Sequence, residues 1–313
     1  IEAELRPGTQ VVGGILGVCY PSEANAALMC RPSSGASNTH GPSAWKPALA
    51  GTFRLVRMSS TCTCAVDALG ALRCWGAAPP PLGAGDALNP VRFDPSIEPG
   101  EGLVGPSSRA YVHDVAVGVG HVCAVHGPER ALRCWGSNEY GQLGHPWSDT
   151  TPEASREVMT RVRQVVAGGF FTCALREAPD WGVYCWGANE ANQCGPTTRP
   201  RVLPPAGVVV DPAVIELAAG YNTVYARTSD GRVLSWGFAG DERLGREVGR
   251  GHCAAVDGIH DAVELSAGWN HACVRTRSRA VRCWGSNDRG QVSARGPRGG
   301  ARLTLVTGLT RAE

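Results

Sequence analysis

Residues 123–144 read CAVHGPERALRCWGSNEYGQLG. A short apolar run ends in a Gly-containing turn, a second run ends at Trp135-Gly136, and a polar, Gly-punctuated stretch follows, which is the signature of a hairpin and a connecting loop. The same unit recurs outward along the chain as CAVDALGALRCWG (64–76), CALREAPDWGVYCWG (173–187), YARTSDGRVLSWG (225–237) and CVRTRSRAVRCWG (273–285). A sixth copy, CYPSEANAALMCRP (19–32), keeps two cysteines and lacks Trp-Gly. The tryptophans stand at 75, 135, 186, 236 and 284, a period of roughly fifty residues that suits one four-stranded propeller blade. An apolar strand such as 163–166 or 215–217 precedes each hairpin and runs into Gly. A helical solenoid of this period would be broken by its Gly and Pro.

Composition agrees. The 313 residues include 41 Gly and 22 Pro with only 6% aromatic residues, which favours many short strands joined by turns over helices. The net charge is +2 and Lys46 is the only lysine, a balance that creates no field for nucleic acid. No apolar run is long enough to span a bilayer, so neither a nucleic-acid partner nor membrane insertion is expected. The chain begins at Ile1 without a signal-peptide profile, which fits a mature or trimmed form.

The pattern Cys-Ala-Val, turn, Arg-Cys-Trp-Gly-Ser-Asn-Glu-Tyr-Gly-Gln-Leu-Gly resembles the repeat of the regulator-of-chromosome-condensation family, and degenerate copies cover nearly the whole chain. The resemblance implies an all-β propeller, usually of seven blades. Six repeats are recognised here, with seven blades as the alternative, in a single domain over residues 1–313 with insert loops at about 31–47 and 77–106. Strand-like segments 9–14 and 305–309 at the two ends imply closure by pairing of the N- and C-terminal strands.

The two cysteines of a repeat are ten to twelve positions apart, which puts them on adjacent strands of one hairpin and makes a cross-strand disulfide sterically feasible. The expected pairs are Cys19 with Cys30, Cys64 with Cys74, Cys123 with Cys134, Cys173 with Cys185, and Cys273 with Cys283. The repeat at 225–237 lacks both cysteines together, as halves of a bond should be lost. Zinc or thiols are the competing reading, against which stand the wrong spacing for a Cys-x-x-Cys knuckle and the lack of a His beside each pair. In the chain-entropy model each bridge contributes about 2 to 3 kcal/mol. Five of them imply an extracellular, periplasmic or cell-surface location. Cys62, Cys194 and Cys253 remain; Cys194 with Cys253 is one feasible bridge, and buried thiols are the other reading.

Blade turns gather on two faces of a propeller. The turn before each first cysteine carries Phe170, Tyr221-Asn222 and Trp269-Asn270 in three consecutive repeats. These five residues are the expected partner-binding patch, because aromatic anchors bury large area at small entropy cost. The alternative is that the rings fill the propeller channel. His121 and His271 occupy positions filled elsewhere by Gly17, Cys62, Phe171 and Thr223, so no ring of ligands is expected, and no metal or cofactor. Asp94, Glu98 and Glu101 lie in a Pro-rich loop read as solvated, with calcium as the competing reading. The Gly-x-Ser-x-Gly, His-Glu-x-x-His and phosphate-loop motifs are missing, so no catalysis is expected.

The family's founding member exchanges nucleotide on a small nuclear GTPase, a role at odds with five disulfides. Resemblance to secreted bacterial propellers that inhibit β-lactamases and to crinkly-type plant receptor ectodomains implies instead an extracellular protein-binding module. The alternatives are an architectural repeat module of a larger surface protein and a propeller enzyme such as a glycan-active hydrolase or lyase.

Overall fold

A computed structural model describes residues 12–14, 17–22, 27–32, 46–60, 62–76, 91–93, 111–146, 157–179, 181–209, 213–247, 252–293 and 300–306. The chain divides into two compact units, residues 1–138 with 148–160, and residues 139–147 with 161–313. No helix among the described residues is long and apolar enough to cross a membrane.

The first unit holds three antiparallel sheets of four strands, each made from one continuous stretch. They are β1 (Val12–Gly14), β2 (Gly17–Ser22), β3 (Ala27–Pro32) and β4 (Lys46–Ala50); β5 (Phe53–Met58), β6 (Cys62–Asp67), β7 (Leu72–Gly76) and β8 (Val91–Phe93); and β9 (Val112–Val117), β10 (His121–His126), β11 (Ala131–Gly136) and β12 (Glu157–Met159). The second unit repeats the plan with β13 (Val162–Ala167), β14 (Phe171–Arg176), β15 (Gly182–Ala188) and β16 (Arg201–Val209); β17 (Val214–Ala219), β18 (Thr223–Thr228), β19 (Val233–Gly237) and β20 (Ala254–Ala255); and β21 (Ala262–Ala267), β22 (His271–Thr276), β23 (Val281–Ser286) and β24 (Gly300–Leu305).

The expected architecture is corrected here. Five blades, β5 to β24, carry the complete Trp-Gly repeat, and β1 to β4 form a further four-stranded sheet without it; no seventh sheet occurs among the described residues. Residues 9–11 and 307–309 of the two end segments lie outside the described residues, and the described end strands each pair within their own sheet. β1 is hydrogen-bonded to β2, with Val12 opposite Cys19, and β24 to β23, with Cys283 opposite Thr304. Each described sheet is completed by its own consecutive segment. Strand residues occur in both insert segments, since β4 begins at the end of the first and β8 lies within the second, each as an outermost strand of its sheet; Asp94, Glu98 and Glu101 lie outside the described residues.

All five expected disulfides form, between directly opposed residues whose Cα atoms are 4.0 to 4.2 Å apart. That closeness belongs to the non-hydrogen-bonded pairs of an antiparallel ladder, where side chains meet most nearly. Cys194 and Cys253 are not bridged. The Cys194 thiol donates to the Ala188 carbonyl at 3.3 Å, and burial pushes its pKa up.

In the blade without cysteines, Tyr225 stands opposite Ser235 at the disulfide position, and a polar network replaces the bridge. Tyr225 donates to the Arg243 carbonyl at 2.7 Å and Ser235 to the Leu244 carbonyl at 2.7 Å. The buried Arg246 guanidinium donates to Ser235 Oγ and to the carbonyls of Ser235 and His252, each at 3.1 Å. Each of these donor atoms finds an oxygen in the buried core, where an orphaned group would be costly.

In the second unit, each sheet's tryptophan is tied to a loop that precedes that sheet in the chain. The buried indoles of Trp186, Trp236 and Trp284 donate to the carbonyls of Gln142, Gln193 and Arg243, at 2.9, 3.0 and 3.1 Å. Each acceptor is the seventh residue after the preceding repeat's tryptophan, inside the loop typified by Ser-Asn-Glu-Tyr-Gly-Gln-Leu-Gly. Asn189 and Asn287 brace this loop by accepting from the amides of Cys194 and Val292, and Gln142, Gln193 and Gln291 by accepting from Tyr140, Ala191 and Arg289. Replacing Trp236 by Phe keeps one aromatic ring, removes the donor and leaves a small cavity at this buried site, orphaning the Gln193 carbonyl. We expect urea unfolding to show a loss of about 1 to 3 kcal/mol.

Candidate functional site

The glycine after each tryptophan connects this core to the turns. Gly187, Gly237 and Gly285 have φ of +104°, +106° and +106°, values that L side chains rarely adopt. A methyl group on them would also strike the carbonyls of Phe170, Asn222 and Asn270. Those same carbonyls accept hydrogen bonds from the next amides, Ala188, Phe238 and Ser286, at 2.8, 2.9 and 2.8 Å. Trp-Gly therefore holds the turn between the first two strands of its own blade.

Three such turns lie side by side. The Gly169 amide donates to the Tyr221 carbonyl at 2.7 Å, and the Tyr221 amide to the Trp269 carbonyl at 2.8 Å. Space for this ladder comes from Gly220, where a Cβ would lie 2.9 Å from the Trp269 carbonyl oxygen. The ladder stacks the side chains. Tyr221 lies on Trp269 with centroids 4.8 Å apart and planes within 6°, Phe170 meets Tyr221 edge to face at 6.0 Å, and Tyr140 stacks on Phe170 at 4.9 Å. Trp269, at the end, is 39% exposed.

Of the five residues expected from sequence, the structure brings Phe170, Tyr221 and Trp269 into one row, with Asn222 and Asn270 next to them in the chain, and it adds others. Tyr140 extends the row from the preceding interblade loop, and Arg201 lies 5.1 Å above its ring, a favourable cation–π geometry. Asn222 accepts from Arg243 at 3.2 Å, while Arg243 also pairs with Asp241 at 2.8 Å and covers the exposed Phe238 ring at 4.7 Å. Asn270 Oδ1 is buried with no hydrogen-bond partner among the described residues. Tyr140, Arg201 and Arg243 were not legible as site residues because each belongs to a different position of the repeat. His121 and His271 face the Trp-Gly glycines Gly136 and Gly285 across their hairpins, where the other blades use residues of other types.

The His271 ring packs against Gly268, and burial lowers its pKa below the ordinary 6.5. Burial and then Arg246 lower that of His252 in the same direction. The unfolded chain therefore binds protons more readily than the folded one as pH falls through 6.5, so stability rises with pH across that window. Urea midpoints should be constant above about pH 7.5 and fall below pH 6.5, and His271→Gln should reduce that acid slope.

Residues 112–142 and 262–291 match a model of the regulator of chromosome condensation (RCC1) repeat, and residues 134–175 match a second model of that repeat. The human E3 ubiquitin-protein ligase HERC2 is 33% identical over 132 residues, which are 40% of this chain and 3% of the ligase. The chain therefore spans a small fraction of that relative. Among solved structures, Prp20p from Saccharomyces cerevisiae superposes with a TM-score of 0.75 at 16% identity, over 96% of this chain and 77% of Prp20p. The CRINKLY WD40 ectodomain of the Arabidopsis thaliana receptor kinase ACR4 gives 0.56 at 17% identity, over 95% and 83% of the two chains.

Proposed function

Starting from a chain that is an RCC1-type repeat β-propeller, we propose that it is a non-enzymatic binding protein that recognises a protein partner through the face carrying Tyr140, Phe170, Tyr221 and Trp269. The observation that carries this reading is the hydrogen-bonded ladder that stacks these rings into one row. Backbone bonds fix the ring positions before any partner arrives, so little side-chain freedom is lost on binding. The inner rings use their faces on each other and offer edges, which suits the mixed apolar and polar surface of a protein more than the flat stacking of sugars or bases. Arg201 at one end supplies the charged, hydrogen-bonding rim that accompanies aromatic hot spots. Prp20p, of the same fold, is described with binding to Gsp1p and histones, which supports protein recognition as a use of this architecture.

The same reading puts the protein in an oxidising compartment, secreted, periplasmic or at the cell surface. It rests on five disulfides, each at the equivalent ladder position of its sheet. Alkylation of freshly isolated, unreduced protein under denaturing conditions should label at most three of the thirteen cysteines. Labelling of most of them would return an intracellular role to the front.

Partner capture from the native source tests the surface. Tyr221→Ala and Trp269→Ala should each weaken capture by at least about tenfold, with the thermal unfolding of the wild type retained. Equal capture by both variants would favour an architectural module.

A further inference from the structure

We propose that acid opens the aromatic row, with the His271 imidazole as the group that takes up the proton; this regulation rests on the row being the recognition surface. The His271 ring folds back onto the first residue of its own turn, where a Cβ on Gly268 would overlap the ring. The Gly268 amide donates to the His271 carbonyl at 2.9 Å and so closes the turn that carries Trp269. The Gly268 carbonyl in turn faces Gly220, where a Cβ would lie 3.1 Å from it and 2.9 Å from the Trp269 carbonyl oxygen. That last carbonyl receives the Tyr221 amide. The imidazole is therefore one glycine removed from the ladder that stacks Tyr221 on Trp269.

Two blades earlier the same joint is built without a titrating group. A Cβ on Gly168 would overlap the Phe171 ring and lie 2.6 Å from the Gly220 carbonyl oxygen, and the Gly168 amide donates to the Phe171 carbonyl at 3.1 Å. Phe171 is fully buried, whereas His271 is only partly so. A ring against glycine is thus a way of supporting this turn. In the blade of β21 to β24 the supporting ring is one that binds protons and touches water.

The surroundings do not favour a charge on the docked ring. Opposite His271 across the hairpin stands Gly285, which has no side chain to offer, and among the described residues no hydrogen bond or ion pair holds the imidazole. Charged groups on the strands packed around it are engaged elsewhere: Glu264 with Arg275, Glu216 with Arg227, Arg282 with the Gly258 carbonyl and Asp288 with the Ser286 hydroxyl. Burial therefore acts alone on the ring and lowers its pKa, so the docked imidazole gives up its proton where one turned out to water would keep it. Below the ordinary 6.5 the balance moves from docked toward released, by up to about tenfold for each pH unit until the docked ring itself protonates. Release takes away the support of Gly268 and loosens the turn that presents Trp269. His271 is on this account a positioning residue, acting through Gly268.

Amide protection factors of the intact chain, measured at about pH 7.5 and about pH 5.5 and corrected for the intrinsic pH dependence of exchange, test the opening without a partner. The Gly268 and Tyr221 amides should lose protection by at least about threefold on acidification of the wild type. They should keep it in His271→Phe, which copies the Phe171 joint, and in His271→Gln, which serves if the Phe variant does not fold. His252 titrates in all three proteins, so the difference between them belongs to His271. No loss in the wild type, or an equal loss in a folded variant, overturns the proposal. Partner capture at the same two pH values separates this from the recognition reading. Capture that weakens with acid in the wild type and not in the variants supports the regulation, and capture by the wild type that is equal at both values overturns it. A wild type that captures no protein at either pH sinks the recognition reading, while the protection factors still decide whether the turn opens.

Discussion

The second unit depends on one interaction, the indole N–H of a blade's tryptophan donating to a loop carbonyl of the preceding repeat. A buried indole N–H must be paired, and the loop supplies a carbonyl that its own turn does not use. Trp186 finds Gln142, which also accepts from Thr172, and Trp284 finds Arg243, which also accepts from Tyr225. From this anchor the chain passes directly into a glycine of positive φ, and the following amide grips the turn that carries the aromatic row. Core and surface are therefore joined by three consecutive residues, with Trp as anchor, Gly as bend and an amide as clamp.

The disulfides act at a different level. Each ties two strands within a sheet, whereas the indole bonds tie one repeat to the next. The blade of β17 to β20 separates the two functions, since it keeps Trp236 and its bond to Gln193 while Tyr225, Ser235 and Arg246 take over the stapling. A bridge and a fully satisfied polar network are alternative solutions at one ladder position.

Much of this was legible in the sequence, because a repeated unit reports its own register. The paired loss of cysteines at 225 and 235 identified the cross-strand partners, and the ladder puts those two residues opposite each other. The turn residues Phe170, Tyr221 and Trp269 were legible for the same reason, since equivalent positions of neighbouring blades become neighbours in space. Strand-like ends say nothing of their partners, and each described end strand completes the sheet nearest to it in sequence. Tyr140 was missed because it joins the row from a non-equivalent position of the preceding repeat.

The central claim, that the indole bond holds the aromatic turns in place, is most directly tested by amide hydrogen exchange in the wild type and in Trp236→Phe. The amides of Gly169 and Tyr221, which form the ladder, and that of Phe238, which grips Asn222, are the reporters. The account predicts that all three lose protection in the variant while the amides of β22 and β23 keep theirs. Unchanged protection at Tyr221 and Phe238 would contradict it, and would mean that the turns hold their positions independently of the tryptophan.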